Sequence, residues 1–265
     1  MLEREIRVLE SAVREAGQEI VRIAREGFET TFKDNQDPLT TADLAANTIL
    51  RSKISEAFPE DAWLSEESAD DLTRCSHRRV WIVDPIDGTR EFVKSLPEFA
   101  VSVALVEDGV PILGAIYNPM TDEYFQAVKG AGSTLNGERT HVRQAALGDR
   151  ITVFGSRSEI RRGEFEPFAD LLDVSPLGSV AYKLARVSAG GADATFSLTP
   201  KNEWDIAAGV LLVEEAGGFV VDKDRKPFRF NREQTLVPGI IATSMHCKDE
   251  LIRQIELYLS NSATN

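Results

Sequence analysis

Apolar residues recur every three or four positions near the start of the chain, at Ile6, Leu9, Val13, Ala16, Ile20 and Ile23. That spacing predicts an amphipathic helix of about 24 residues packed by one face. A polar stretch, TTFKDNQDPLTTAD, follows and leads into a second helix with Leu44, Ile49, Leu50 and Ile54 inward. A short strand is expected near Ala62 to Leu64, then an acidic turn, then a strand Val80-Trp81-Ile82-Val83 that ends in Asp84. From Phe99 to Leu135 the pattern is β-rich: FAVSVALVEDGVPILGAIYNP reads as two strands turning at Asp108-Gly109, a strong hairpin signal. Strands around Tyr124 to Val128 and Gly132 to Leu135 complete a mainly antiparallel sheet. The pattern changes around residues 140–150, after which strands near Ile151, Asp193 and Phe219 alternate with helices near 161–172, 179–190 and 203–216. A last strand and helix follow Pro238. This alternation predicts a second α/β unit, dividing the chain into an N-terminal α+β domain (1–145) and a C-terminal α/β domain (146–265) that carries Asp205.

Within this pattern, carboxylates stand where periodicity does not place them. Asp84 and Asp87, in VDPIDGTREFV, close a buried strand three residues apart. Two close anions resist desolvation unless something compensates. Pro85 biases Asp84 toward an extended conformation, and Gly88 permits a tight approach. A helix cap explains Asp87 but leaves Asp84 unexplained, and Pro85 with this spacing rules out an EF-hand loop. Asp43 closes TTAD, where Thr40 and Asp43 fit a capping box. Glu66 and Glu67, in WLSEES, suit the first turn of a helix capped by Ser65. Asp205 stands at the mouth of a helix that is apolar on nearly every face from Ile206 to Val213. Apart from Asp84, each acid alone has a structural explanation; together they read as a cation site. Oxygen ligands without a His or Cys cluster point to Mg²⁺, Mn²⁺ or Ca²⁺ rather than zinc. His77, His141 and His246 are scattered. A Mg²⁺ site of few carboxylates usually handles phosphate, and Gly88 and Thr89 at a helix start offer it backbone amides.

Composition narrows the partners. The 265 residues are 42% apolar and 28% charged, with a net charge of -13. Such a chain repels nucleic-acid backbones, so no polymer of that kind is expected as a partner. The longest apolar runs fall short of a membrane span, and MLEREIRVLE lacks the apolar core of a signal peptide. With Cys75 and Cys247 alone, a cytoplasmic protein with reduced thiols is the expectation. No Walker A pattern and no Ser-His-Asp or Cys-His motif stands out.

The stretches DPLTTAD, WLSEES, WIVDPIDGTREFV and EWDIAAGVLLVEEAGG, in this order and spacing, resemble the inositol monophosphatase superfamily of lithium-sensitive, Mg²⁺-dependent phosphatases. The resemblance spans about residues 35–220 and implies a layered αβαβα sandwich, in many members a homodimer. It implies that Glu66, Asp84 and the Ile86 carbonyl ligate a first metal and that Asp84, Asp87 and Asp205 ligate a second. A third, weaker ion would sit by Glu66, near Asp43. Thr89, with Glu66 or Asp43, would position and activate the attacking water, and the Gly88 and Thr89 amides would hold the phosphate. Gly178, Ser179 and Lys183 would line the substrate pocket, although Lys183 also reads as a surface helix lysine. GTREF resembles the GTKEF of the CysQ branch, which removes the 3′-phosphate of adenosine 3′,5′-bisphosphate. Inositol phosphatases usually read GTTNF there and carry a Glu where this chain has Leu198. The substrate expected is therefore a small phosphorylated metabolite, a 3′(2′),5′-bisphosphate nucleotide first, with inositol, sugar or histidinol phosphates as alternatives. A non-catalytic partner protein is the rival, since some members of the superfamily act by binding RNA-processing machinery.

Overall fold

The computed structural model describes residues 2–33, 37–145 and 150–262. Helix α1 (Glu3–Glu26) buries Leu9, Val13, Ala16, Ile20 and Ile23, as their spacing predicts. Strands β1 (Thr30–Phe32) and β2 (Pro38–Thr40) pair within the polar stretch, whose residues 34–36 lie outside the described residues. Helix α2 (Thr41–Ala57) turns Ala42, Ala46, Leu50 and Ile54 inward, an i, i+4 stripe. Leu44 falls off that stripe and is exposed, contrary to expectation.

A seven-stranded sheet follows in simple sequence order: β3 (Ala62–Ser65), β4 (Arg79–Asp87), β5 (Ala100–Glu107), β6 (Val110–Asn118), β7 (Glu123–Val128), β8 (Gly132–Leu135) and β9 (Glu138–Thr140). Only β3 and β4 run parallel; the other neighbours are antiparallel. Alternate side chains point to opposite faces. Trp81, Val83, Val101, Val103 and Leu105 therefore meet α1 and α2, while Val80, Ile82, Ala104 and Ile116 meet a second layer of helices. A strand covered on both faces reads as one apolar run, which is what Val80 to Val83 displays. The run does not end at Asp84 as expected. Strand β4 continues to Asp87, with a register shift against β5 between Asp84 and Asp87; such an irregularity accommodates Pro85, which has no N–H to give a ladder. Glu66 and Glu67 sit in a turn after β3 rather than in a helix, with the Glu67 N–H 3.3 Å from the Ser65 hydroxyl.

Helix α3 (Thr89–Val93) leaves β4. Beyond residues 146–149, which adjoin the expected domain boundary and lie outside the described residues, come β10 (Ile151–Gly155), α4 (Arg157–Arg161), β11 (Leu172–Pro176), α5 (Val180–Ser188) and β12 (Ala194–Ser197). Next are β13 (Lys201–Asn202), α6 (Glu203–Glu215), β14 (Phe219–Val221), β15 (Leu236–Val237), β16 (Ile240–Thr243) and α7 (Lys248–Ser262). The order β11-β10-β12-β16-β14 makes a second sheet. The helix expected over 161–172 is replaced by short α4, a 3₁₀ turn at Glu166–Phe168, and edge strand β11. Pro167 breaks the helical run, and Phe165 and Phe168 are buried as separate anchors against Phe196. Helices α5 and α6 share a core with the first sheet, and α7 covers the far face of the second through Leu251 and Ile255. The layers are helix, sheet, helix, sheet, helix: the αβαβα sandwich expected. No helix among the described residues is long and apolar enough to cross a membrane.

Candidate active site

The site forms where β4 gives way to α3. Asp84 is 1 % exposed, and its Oδ1 accepts the Ile86 N–H at 3.0 Å. Gly88 then adopts φ +98°, the left-handed region, and an added Cβ would stand 3.0 Å from the Glu98 carbonyl oxygen. Both constraints require glycine. The turn sends Asp87 toward α5, where its Oδ2 accepts from the Ser179 hydroxyl and the Ala181 N–H, each at 2.5 Å. Asp205 enters from the first turn of α6, its Oδ2 accepting the Asn202 N–H at 2.9 Å.

Carboxylate oxygens of Asp84, Asp87 and Asp205 lie within 4.8 Å of one another, the one acidic group among the described residues with this closeness. Burial, then the charges of Glu66 and its neighbours, holds the Asp84 carboxyl well above the usual range. Asp205 is raised likewise by burial and by Asp87. Burial pushes Asp87 up to about 6 against the opposing hydrogen bonds from Ser179 and Ala181. Three converging, desolvated carboxylates are unfavourable without a counter-charge. An oxygen-only donor set of this kind fits a hard divalent cation.

Asp43 serves two ends at once. Its Oδ2 accepts from the Thr40 N–H at 2.8 Å and the Thr40 hydroxyl at 2.5 Å, in the capping box of α2, while its Oδ1 lies 3.1 Å from the Thr89 hydroxyl. The Thr89 oxygen is also 2.9 Å from the Ile86 carbonyl. Glu66 stands outside the triad of aspartates: Lys33 donates to its Oε1 at 2.7 Å and to Glu67 Oε1 at 2.6 Å. Asp84, Asp87, Asp205, Glu66, Ile86 and Thr89 border one cleft of about 290 Å³, whose other wall includes Val180, Pro200, Lys201 and Asn202; Asp43 lies behind Thr89 and does not line it.

The residues expected to line the substrate pocket are placed differently. Gly178 donates its N–H to Glu98 Oε2 at 2.7 Å, and Ser179 holds Asp87. Lys183 is not a surface lysine: it is 1 % exposed and donates to Glu159 Oε2 at 2.9 Å. Sequence reasoning missed Lys33, Glu159 and Lys201. Only Lys201 carries a usable local signal, standing four residues before Asp205 in the same short segment.

The αβαβα sandwich thus gathers acids from β4 and α6 into one cleft, an architecture and site of the kind shared within one protein family. The chain belongs to the inositol monophosphatase family, whose sequence model matches residues 1–259. An inositol-1-monophosphatase of Mesorhizobium japonicum is 37% identical over 230 residues, covering 83% of this chain and 85% of that one. A Nus factor SuhB of Xylella fastidiosa is 34% identical over 227 residues, covering 82% and 81%. Among solved structures, an IMPase of Thermotoga maritima superposes with a TM-score of 0.84 at 28% identity, covering 98% and 99%. CysQ of Bacteroides thetaiotaomicron, described as a bacterial member of the inositol monophosphatase family, gives 0.76 at 29% identity, covering 91% and 97%.

Proposed function

We propose that the chain is a Mg²⁺-dependent phosphomonoesterase that hydrolyses a small phosphorylated metabolite with water as nucleophile. The observation that carries this reading is the convergence of Asp84, Asp87 and Asp205 beside the Thr89–Asp43 pair. Asp84, Asp87, Asp205, Glu66 and the Ile86 carbonyl would hold two or three divalent cations. Bound there, the cations would neutralise the phosphate and lower the pKa of water. The Thr89 hydroxyl gives its hydrogen to Asp43 Oδ1, which leaves its lone pairs to accept from the attacking water. Asp43 is held above the usual carboxylate range, chiefly by burial, and this makes it a better proton acceptor. Backbone amides of Gly88 and Thr89 orient the phosphate.

For the substrate we favour a 3′(2′),5′-bisphosphate nucleotide. Leu198, where inositol phosphatases carry an acid, packs beside Phe165, Phe196 and Tyr258, away from the cleft. The GTREF stretch itself speaks less to the substrate than its resemblance suggests. Phe92 is buried against Phe28 and Phe99, and Arg90 donates to Asp37; of Arg90, Glu91 and Phe92, only the first two border the cleft. Inositol 1-phosphate is the second reading, favoured by the 37% identity to a protein of that name. Phosphate release should be measured on adenosine 3′,5′-bisphosphate, inositol 1-phosphate, fructose 1,6-bisphosphate and histidinol phosphate, with Mg²⁺, EDTA or added Li⁺. The expected result is Mg²⁺-dependent, Li⁺-inhibited turnover with the highest kcat/KM on the adenosine compound. Turnover of none of the four would sink the reading and favour the partner-binding rival.

A further inference from the structure

Two cations border the cleft among the described residues, Arg90 and Lys201. They differ in how their charge is met. Arg90 donates directly to Asp37 at 2.5 Å across the cleft mouth. Lys201, on β13, is 16 % exposed, and the nearest carboxylate oxygen paired with it is Glu159 Oε1 at 3.7 Å. Its other contact is the Thr199 hydroxyl at 3.4 Å.

Glu159 is already committed. Its Oε2 accepts from Lys183 at 2.9 Å and from the Ser156 N–H at 2.8 Å, and both Glu159 and Lys183 are buried. A buried ammonium needs a full counter-charge, so Lys183 takes most of what one carboxylate offers. Lys183, Glu159 and Lys201 together carry two positive charges and one negative. Of the three, Lys201 is the one that reaches the cleft, where its charge also faces Asp205. Around it the segment Leu198-Thr199-Pro200-Lys201-Asn202 contains no acid.

We propose that Lys201 binds a second anionic group on the leaving-group side of the substrate, a phosphate or a carboxylate, so that the site prefers doubly anionic phosphomonoesters to phosphates of neutral polyols. This rests on the phosphomonoesterase reading and adds to it a residue that sets the preference for a dianionic substrate. A phosphate held by the aspartate-bound cations lies against β4 and α6, and a leaving group extending from it toward β13 meets Lys201. The competing role, offsetting the charge of Asp205 four residues on, acts on every substrate alike.

The test compares Lys201→Gln and Lys201→Arg with the wild type on three substrates. Adenosine 3′,5′-bisphosphate offers a second phosphate, 3-phosphoglycerate a carboxylate, and inositol 1-phosphate neither. A charge-assisted hydrogen bond lost to solvent costs roughly a factor of ten or more in affinity. In Lys201→Gln, kcat/KM for the doubly anionic substrates should fall at least tenfold relative to inositol 1-phosphate, with the change in KM. Lys201→Arg should restore most of it. Which of the two dianionic compounds responds more identifies the second group. An unchanged ratio, or an equal loss in kcat on all three, overturns the proposal. If no substrate turns over, the catalytic reading fails by itself and calorimetric binding of adenosine 3′,5′-bisphosphate in Mg²⁺ decides for Lys201. Binding weakened tenfold by Lys201→Gln supports its role, whereas equal affinity, or none in the wild type, overturns it.

Discussion

Asp84→Asn is expected to abolish Mg²⁺-dependent phosphate release, lowering kcat/KM roughly a thousandfold or more, while raising the melting temperature of the metal-free protein. The two effects share one cause. Asp84 is 1 % exposed, and burial together with Glu66, Asp87 and Asp205 disfavours its charged form. Asparagine has the same shape, and its carbonyl oxygen can still accept the Ile86 N–H that Asp84 holds at 3.0 Å. The variant therefore loses the charge a cation requires and keeps the turn. The same logic fixes the pH dependence of the metal-free wild type. A carboxyl whose pKa is higher folded than unfolded contributes stability that is full at low pH and is lost as pH rises through the folded value. For Asp87 that value is about 6. Metal-free protein should thus melt a few degrees higher at pH 5 than at pH 8, on the order of 1–2 kcal/mol from Asp87 alone, the rest of its roughly 3 kcal/mol being lost already between pH 3.8 and 5. Saturating Mg²⁺ should flatten or reverse the trend, because the cation favours the charged form. Paired melting curves in EDTA and Mg²⁺, beside a phosphate-release assay, read all of this. Near-normal turnover by Asp84→Asn would end the catalytic assignment, and a lower metal-free melting temperature would show that the acidic cluster carries no repulsion.

How much of this the chain displays in its sequence follows from the range of each interaction. Periodicity acts over a few residues, and it located α1, the core of β4 and the hairpin at Asp108-Gly109. The offset of Asp84 from Asp87 was legible because Pro85 and Gly88 set the turn within one short stretch. What eluded the sequence depends on distant partners or on which face of an element is covered. Leu44 had the right type but the wrong angle on α2. The stretch 161–172 is expected to be helical, whereas its Phe165, Phe168 and Leu172 are anchors of a turn and an edge strand. Ser179 and Lys183, expected along the substrate pocket, have partners far away in sequence. Ser179 lies 92 positions from the Asp87 it holds. Lys33 reaches Glu66 across 33 positions, and no pattern in either stretch announces the pairing. Residue type shows what chemistry is possible, and only the folded contact shows whose charge is already satisfied.

Lys183 makes that last distinction measurable. Removing one partner of a buried ion pair leaves an uncompensated charge and typically costs about 3–5 kcal/mol. Lys183→Met is expected to destabilise the protein by that amount, a fall in melting temperature of roughly 10 °C for a chain of this size. A surface helix lysine would cost less than about 0.5 kcal/mol. The penalty should come from Glu159 rather than from lost packing, since the carboxylate is 2 % exposed and its next cation, Lys201, is 3.7 Å away. Glu159→Gln in the same chain should then recover most of the loss: a glutamine keeps an acceptor for the Ser156 N–H that Glu159 caps at 2.8 Å and leaves no charge behind. Chemical denaturation of the two single variants and the double variant in EDTA measures the coupling. Additive losses would mean that the pair does not carry the stability assigned to it. Coupling of several kcal/mol would show that Lys183 neutralises Glu159; its charge also favours the charged form of Asp87. In that case Lys183→Met, at temperatures where it remains folded, should also need more Mg²⁺ than the wild type for half-maximal phosphate release.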